Sequence, residues 1–542
     1  MSLDIAEAFD SLLASDADPV GAGVLIQKLA DIASRDQLVG DESSVPLAES
    51  MASGNLVGKR RDVMPAVHWI GELARRQSLL PDADPAVLGG ILRLVHVHVL
   101  RHGEPALHVV NTNELRRVIE GVSPEVPNRH LLMHLLASKR DATSLSVLVE
   151  LLQQSPPHGW MAAAQVISPL MQHRDWSVEA VYPQILNCLS EPVLASSVLD
   201  LTGHLYRTHR VDPHPAADRL SSLNELLSGV TDRLARFEEA PSYFGDDVDQ
   251  VQAILAEAVA LAVSLCDCVG LIGESSSIAP LRKALDLKHR RVRCEAAGAL
   301  ARLGDAHGRS QLLKLTSEPS ARLRAIAYAD ELGIGEQVDD AYREPGATSE
   351  AEMALWLSQP QQMGVPPTSV EVIDSRRILW PSFTDPVDVT LVRFEYNFGE
   401  RCYSNVGLTG PAVFTFATDV ADLPVEDIYA MYAGWHAEHD DIFTVAAKEF
   451  NEAQARMVEP FRDHLQRLGY DEVEVTLLGF FLDETAGIFT ARRDETHCVV
   501  VTDGSETIDL PTEGRMRPAT SEDVFQLYKG RKMLRTFNPQ GI

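Results

Sequence analysis

Positive charge is scarce in this chain. Across 542 residues, 48 Lys and Arg stand against 78 Asp and Glu, a formal net charge of −30. That balance argues against a general binder of nucleic acid or anionic membranes, which needs a positive field. Aromatic residues are sparse at 6%. Cysteine is sparser: Cys188, Cys266, Cys268, Cys294, Cys402 and Cys498 are the only six. None has C-x-x-C spacing, since Cys266-Asp267-Cys268 is C-x-C, so zinc and dithiol motifs are excluded. All six are expected to be reduced core thiols, which suits a reducing compartment. The longest apolar run, Ala258 to Cys266, is too short to span a bilayer. Met1-Ser2-Leu3-Asp4 offers no basic n-region, so no signal peptide and a cytoplasmic location are expected. Gly-rich phosphate loops, nucleophile elbows and kinase signatures are missing too, and no cofactor is expected.

What the chain does have is a phrase that returns. Leu271-Ile272-Gly273-Glu274, Arg302-Leu303-Gly304-Asp305 and Glu331-Leu332-Gly333-Ile334 place their glycines 31 and 29 residues apart. A period near 30 marks one supersecondary unit stacked on copies of itself. Val292-Arg293 and Leu323-Arg324 open Ala-rich stretches ahead of the second and third phrases. Leu281, Leu285, Val292, Ala296, Leu300 and Leu303 recur at helical spacing and form the expected buried stripe. Gly304 and Gly333 fall just past helix ends, where a left-handed residue closes the turn.

Ala279-Pro280-Leu281-Arg282-Lys283-Ala284-Leu285, the turn Asp286 to Arg290, Val292-Arg293, Ala296-Ala297, Ala299-Leu300 and Leu303-Gly304-Asp305 together resemble the HEAT repeat. The form is the short bacterial one related to the phycobilisome-lyase HEAT-like repeat. The resemblance covers about residues 248–334. It implies an α-solenoid of helical hairpins and a protein-binding role.

Elsewhere the pattern is coarser. Residues 1–240 read as degenerate α-hairpin repeats, with helices such as Val63 to Arg76, Ala86 to Arg101 and Val178 to Leu189 broken at prolines. HEAT-like repeats are expected over 248–336 and a linker over 337–367, with a short helix from Glu350 to Leu357 inside it. From 368 to 542 the period changes to that of strands. Strands are expected at Val370 to Ile373, Val387 to Tyr396, Arg401 to Val406, Ala412 to Ala417, Val473 to Leu482, Gly487 to Arg492, Cys498 to Thr502 and Glu506 to Leu510. Helices are expected after Pro424, from Val445 to Leu468, and after Thr520. The fold class is therefore multidomain: an α-solenoid followed by an α+β domain with an antiparallel sheet.

Three clusters invite a chemical reading. Between Ser276 and Ala329, 11 Lys or Arg face four acids. Lys288, Arg290, Arg291 and Arg293 at an inter-helix turn, with Arg324, are the candidate partner-binding residues. Turn arginines tied to neighbouring carbonyls and acids are the plainer alternative. Trp435, His436, His439 and Asp440 are the candidate ligand or metal residues of the C-terminal domain. Their histidines are i, i+3, not the i, i+4 of a zinc-protease helix, so no metal is expected. His98 and His102 are i, i+4 on an apolar stripe and read as structural. The reading as a whole is a non-catalytic scaffold with a protein partner, not expected to bind nucleic acid or a membrane. Its competitor is an enzyme or small-ligand binder with its site in the C-terminal domain.

Overall fold

The computed structural model describes residues 5–14, 19–39, 65–245, 247–359, 361–399, 401–437, 442–515 and 517–541. The chain divides into two compact units, Met1–Ser310 and Gln311–Ile542.

The first unit is helical throughout its described residues. In order come α1 (Ile5–Leu12), α2 (Pro19–Val39), α3 (Pro65–Arg75), α4 (Pro85–Arg101), α5 (Gly103–Val109), α6 (Thr112–Gly121), α7 (Arg129–Lys139) and α8 (Ala142–Gln154). Then follow α9 (Trp160–Gln172), α10 (Pro192–Arg207), α11 (Leu220–Glu239), α12 (Val248–Ile272), α13 (Ile278–Leu285) and α14 (Arg290–Arg302). The expected helix Val178 to Leu189 is instead two 3-10 stretches, Val178–Ala180 and Gln184–Ser190. Pro183 lies between them and can neither donate its N–H nor tolerate the preceding helical turn. The start of the expected Val63 helix lies outside the described residues.

These helices pack in two rows. In one, α4 meets α7, α7 meets α9, α9 meets α10, α10 meets α12 and α12 meets α14. In the other, α3 meets α6, α6 meets α8, and α11 meets α13. One continuous apolar core runs from Phe9 to Leu205. Buried arginine ties hairpins together. The Arg129 guanidinium, at the start of α7, donates to the carbonyls of Ile119 (3.2 Å), Val122 (3.0 Å) and Ser155 (3.2 Å). α12 is the one helix among the described residues whose length and composition would allow a membrane crossing, yet 61% of its apolar window is buried in the protein.

The expected stripe is buried at Leu281, Leu285, Val292, Ala296 and Leu300. Leu303 is only half-buried, because it already serves as the C-cap of α14. Gly304 (φ 80°) and Gly333 (φ 68°) are left-handed as expected.

The second unit begins inside α15 (Ala306–Leu315) and continues with α16 (Pro319–Glu331) and α17 (Pro345–Leu357). α17 lies in the segment expected as a linker and is half again as long as expected. Its Met353 and Leu357 share a core with Val392, Phe394 and Tyr396. Two antiparallel sheets follow. The first has order β1-β2-β3-β4, from Ser369–Ile378, Val387–Phe398, Arg401–Thr409 and Phe414–Thr415. The second has order β5-β6-β7-β8-β9, from Phe443–Ala446, Asp471–Phe481, Glu484–Arg493, Thr496–Thr502 and Thr507–Pro511. α18 (Val425–His436) follows the first sheet, α19 (Glu452–Arg467) joins β5 to β6, and α20 (Ser521–Phe537) follows the second. The helix expected from Val445 therefore starts later. Residues 443–446 are strand, and a capping box between Asn451 and Gln454 opens α19.

The layers can be read from strand alternation. Val389 and Leu391 of β2 share a core with Ile428 and Met431 of α18, with Ile488 and Val501 of the second sheet, and with Val524 and Leu527 of α20. Val392, Phe394 and Tyr396, on the opposite face of β2, meet α17. In the second sheet, Phe489, Cys498 and Val500 share a core with Val458 and Leu465 of α19. The order is α17, first sheet, α18 with α20, second sheet, α19.

This is one motif used twice. Helix, four-stranded meander, helix describes both α17-β1-β2-β3-β4-α18 and α19-β6-β7-β8-β9-α20. Glu426-Asp427-Ile428-Tyr429-Ala430-Met431-Tyr432-Ala433-Gly434 returns 96 positions later as Glu522-Asp523-Val524-Phe525-Gln526-Leu527-Tyr528-Lys529-Gly530. The two closing helices cross reciprocally. A β-carbon on Gly434 would overlap the carbonyl of Gln526, and one on Gly530 the carbonyl of Ala430.

Of the six cysteines, five are buried and Cys402 is exposed, which corrects the expectation of six core thiols. Cys402 pairs with Asn397 beside the β2–β3 turn, where neither face is covered.

Three substitutions test this packing by chemical denaturation. Leu300→Ala should cost about 2–5 kcal/mol, and Leu303→Ala clearly less. Equal losses would contradict their different burial. Gly530→Ala should destabilise by about 1–3 kcal/mol through overpacking at the α18–α20 crossing, and an unchanged midpoint would show that the helices do not meet there.

Candidate functional site

The basic turn is built by α13 and α14. Glu238, in the last turn of α11, accepts the backbone N–H groups of Lys288 (2.7 Å) and His289 (3.0 Å) through one carboxylate oxygen. That fixes the turn and spends an acid on backbone rather than on the cationic side chains. Lys288 and Arg291 are exposed, while Arg290 and Arg293 are half-buried. Other cations of the same stretch are used internally. Arg282 pairs with Asp305, and Lys283 with Asp232 at 2.5 Å. Arg322 is buried and donates to Thr316 O (3.0 Å), Ala347 O (2.6 Å) and Glu350 (2.9 Å). Arg324 is exposed in the second unit, with its guanidinium 4.3 Å from the Tyr328 ring centre and donating to the Tyr328 hydroxyl at 3.2 Å.

Beside the turn lies a set of charges that sequence reasoning missed. Asp200 on α10, Asp267 on α12 and Glu295 on α14 follow the helix row that meets α10 to α12 to α14. Arg207 forms a two-pronged pair with Asp267, and Arg302 approaches the same carboxylate at 3.9 Å. Asp200 is exposed to solvent on one side, and the protein beside it shifts its carboxyl upward. The Ser264 hydroxyl and Arg291 oppose the rise, and Asp267 and Glu295 add to it. The available signal was a single acid set in each of three short apolar or small-residue stretches: Val198-Leu199-Asp200-Leu201, Leu265-Cys266-Asp267-Cys268 and Cys294-Glu295-Ala296-Ala297.

Earlier in the same row the polar contacts are neutral. His96 Nε2 lies 3.2 Å from His134 Nδ1, and His130 Nε2 3.1 Å from Gln165 Oε1. Burial pushes both His96 and His134 down to about 4, with neighbouring histidines adding to the fall. His98 is buried as expected of a structural histidine.

In the second unit, Trp435 and His436 end α18 within an aromatic group. Trp435 is 39% exposed and stacks on Phe414 with ring centres 3.9 Å apart. His436 is met edge-on by Trp380 (6.4 Å), Phe383 (6.2 Å) and Trp435 (5.9 Å). His439 and Asp440 lie outside the described residues. Among the described residues no group of three or more His, Cys, Asp or Glu is placed to hold a metal ion.

The equivalent end of α20 is ionic. Tyr528 OH lies 2.9 Å from Glu484 and 3.1 Å from Asp503, and Lys532 donates to Asp503 at 2.9 Å. Burial works to raise Asp503, but the Glu506 amide, Lys532 and Ser505 together hold it far below the usual carboxylate range. Tyr432 takes the place of Tyr528 in the first copy and donates to Val406 O at 2.8 Å, with His436 where the second copy has Lys532. One copy has closed this position with charge, and the other keeps an aromatic surface.

No protein-family model, curated protein or solved structure matches this chain.

The buried histidines set a pH dependence. Their folded values near 4 lie below the ordinary 6.5, so unfolding takes up protons between those limits. Stability is complete above pH 6.5 and falls as pH drops toward 4, by at most about 3.4 kcal/mol per imidazole. Melting temperatures across this range should fall less steeply in His96→Leu/His134→Leu than in the wild type. Parallel slopes would show that the pair is not buried neutral.

Proposed function

We propose that this chain is a non-catalytic interaction protein whose helical hairpins form a HEAT-like solenoid, with the α13–α14 turn as the contact for an acidic segment of a protein partner. The packing of the helical unit supports the solenoid reading, because one row runs unbroken through successive hairpins from α4 to α14. The observation that carries the partner reading is the arrangement at the turn. Glu238 holds the backbone and leaves the Lys288 and Arg291 side chains exposed. Arg290 and Arg293 flank them. Arg324 belongs to the same reading as a second cationic contact. Cytoplasmic location remains part of the proposal, resting on the scattered thiols.

A ligand-binding reading of the second unit draws on one observation, the exposed aromatic surface of Trp435 beside His436. Among the described residues no group of His, Cys, Asp or Glu there is placed to hold a metal ion, and the scaffold reading stands first.

Arg290→Glu/Arg291→Glu should abolish recovery of the bound partner from native lysate, and Lys288→Glu, which reverses only an exposed charge, should weaken recovery with the melting temperature nearly unchanged. Wild-type binding should weaken with added salt, since exposed charges are screened over about 10 Å at ordinary ionic strength. A fall in stability with binding intact would make these arginines internal ties between hairpins and would overturn the proposal.

A further inference from the structure

The tandem motif of the second unit exposes a difference between its copies. In the second copy the outer edge of β6 is covered. β5 pairs with it antiparallel, Phe443 opposite Phe480 and Ala446 opposite Leu477. In the first copy the equivalent strand is β1, and the first sheet ends at β1 with no further strand among the described residues.

The equivalence is close. Both strands carry a register shift, between Val372 and Asp374 in β1 and between Val475 and Leu477 in β6. Counting from that shift to the hairpin turn aligns Asp374-Ser375-Arg376-Arg377 with Leu477-Leu478-Gly479-Phe480, the four residues that β5 covers. A bulge on an edge strand usually serves to discourage pairing. Here the covered strand has the same bulge, so it belongs to the motif and does not protect β1.

The backbone direction follows from one side chain. Asn538 accepts from Leu379 N–H at 2.9 Å and donates to Leu379 O at 3.1 Å. Both groups of Leu379 therefore aim away from β2, and by the alternation of a strand so do those of Arg377 and Ser375. No backbone hydrogen bond beyond the β1–β2 ladder reaches these two residues among those described. Ser375 and Arg377 are exposed.

We propose that a second copy of this chain pairs antiparallel with this edge, β1 to β1 about a two-fold axis at Ser375, joining two four-stranded sheets into one. A two-fold axis perpendicular to the sheet keeps each face continuous. Centred on Ser375, it sets Asp374 opposite Arg376 of the second copy, and Arg376 opposite its Asp374. Opposite charges at directly facing positions favour this register. Within one chain the two residues are already joined, Arg376 Nε donating to Asp374 at 2.6 Å while its Nη2 donates to Glu426 at 3.2 Å, so the pairing links two such ion-pair groups across the axis. Ser375 meets its own counterpart, a small residue on the axis.

The test uses the full chain. Sedimentation velocity across the micromolar range should show a concentration-dependent dimer. Ser375→Lys sets like charges against each other at the axis and should weaken the dimer about tenfold or more, with the melt checked to confirm folding. Independently, Ser375→Cys in a Cys402→Ser background should crosslink under mild oxidation, because facing α-carbons about 5.5 Å apart suit a disulfide. The Cys402→Ser chain alone should not. A monomer at all concentrations overturns the proposal and leaves the edge to a strand from another protein. A dimer that withstands Ser375→Lys and yields no crosslink overturns it equally, by placing the contact elsewhere.

Discussion

No hairpin of this chain can bury its own apolar face. A helix pair such as α13 and α14 exposes Leu281, Leu285, Val292 and Leu300 along one side, and only a neighbouring hairpin removes them from water. The first unit is the repeated answer to that constraint. From α4 to α14 each helix of the unbroken row covers the one before it, and Arg129 settles the carbonyls left at the hairpin ends. A sheet with two apolar faces poses the same problem twice. β2 turns Val389 and Leu391 one way and Val392, Phe394 and Tyr396 the other, so α17 and α18 are both required.

The centre of the second unit depends on how closely two helices can approach. α18 and α20 lie between two sheets and must be thin enough to let both sheets reach a common core. Gly434 and Gly530 make this possible by letting each helix press against the other's carbonyl groups. Around that fixed crossing the two copies of the motif have diverged. Charge fills one end, through Lys532, Asp503 and Glu484, and aromatic rings fill the other, through Trp435, Phe414 and His436. Duplicated packing with unequal ends is how one architecture comes to offer two different surfaces.

Much of the first unit's local order was legible in the sequence. The glycine period, the stripe through Leu300 and the proline breaks each act within one or two helical turns, and local rules read them correctly. The strands from Val387 onward, β5 excepted, were legible for the same reason, since alternation is a property of neighbouring residues. Pro183 shows the limit: apolar spacing alone predicted a helix that the ring prevents. Val445 shows another, because a strand and a helix start share one short apolar run, and only the capping box at Asn451 separates them.

The candidate site was legible as residue types and not as an arrangement. Lys288, Arg290, Arg291 and Arg293 stand out in a chain of net charge −30. That Glu238 would hold the turn's backbone, 50 positions earlier, depends on where α11 ends. Asp200, Asp267 and Glu295 are ordinary lone acids until α10, α12 and α14 are set side by side. The sequence by itself determined the helical period, the strand period and the sign of the charge, since each is fixed by contacts between near neighbours. The tertiary structure alone decided that two sheets share one helix pair, which edge stays open, and which charges meet. Those outcomes rest on contacts between residues far apart in the chain, and no local pattern encodes the distance between them.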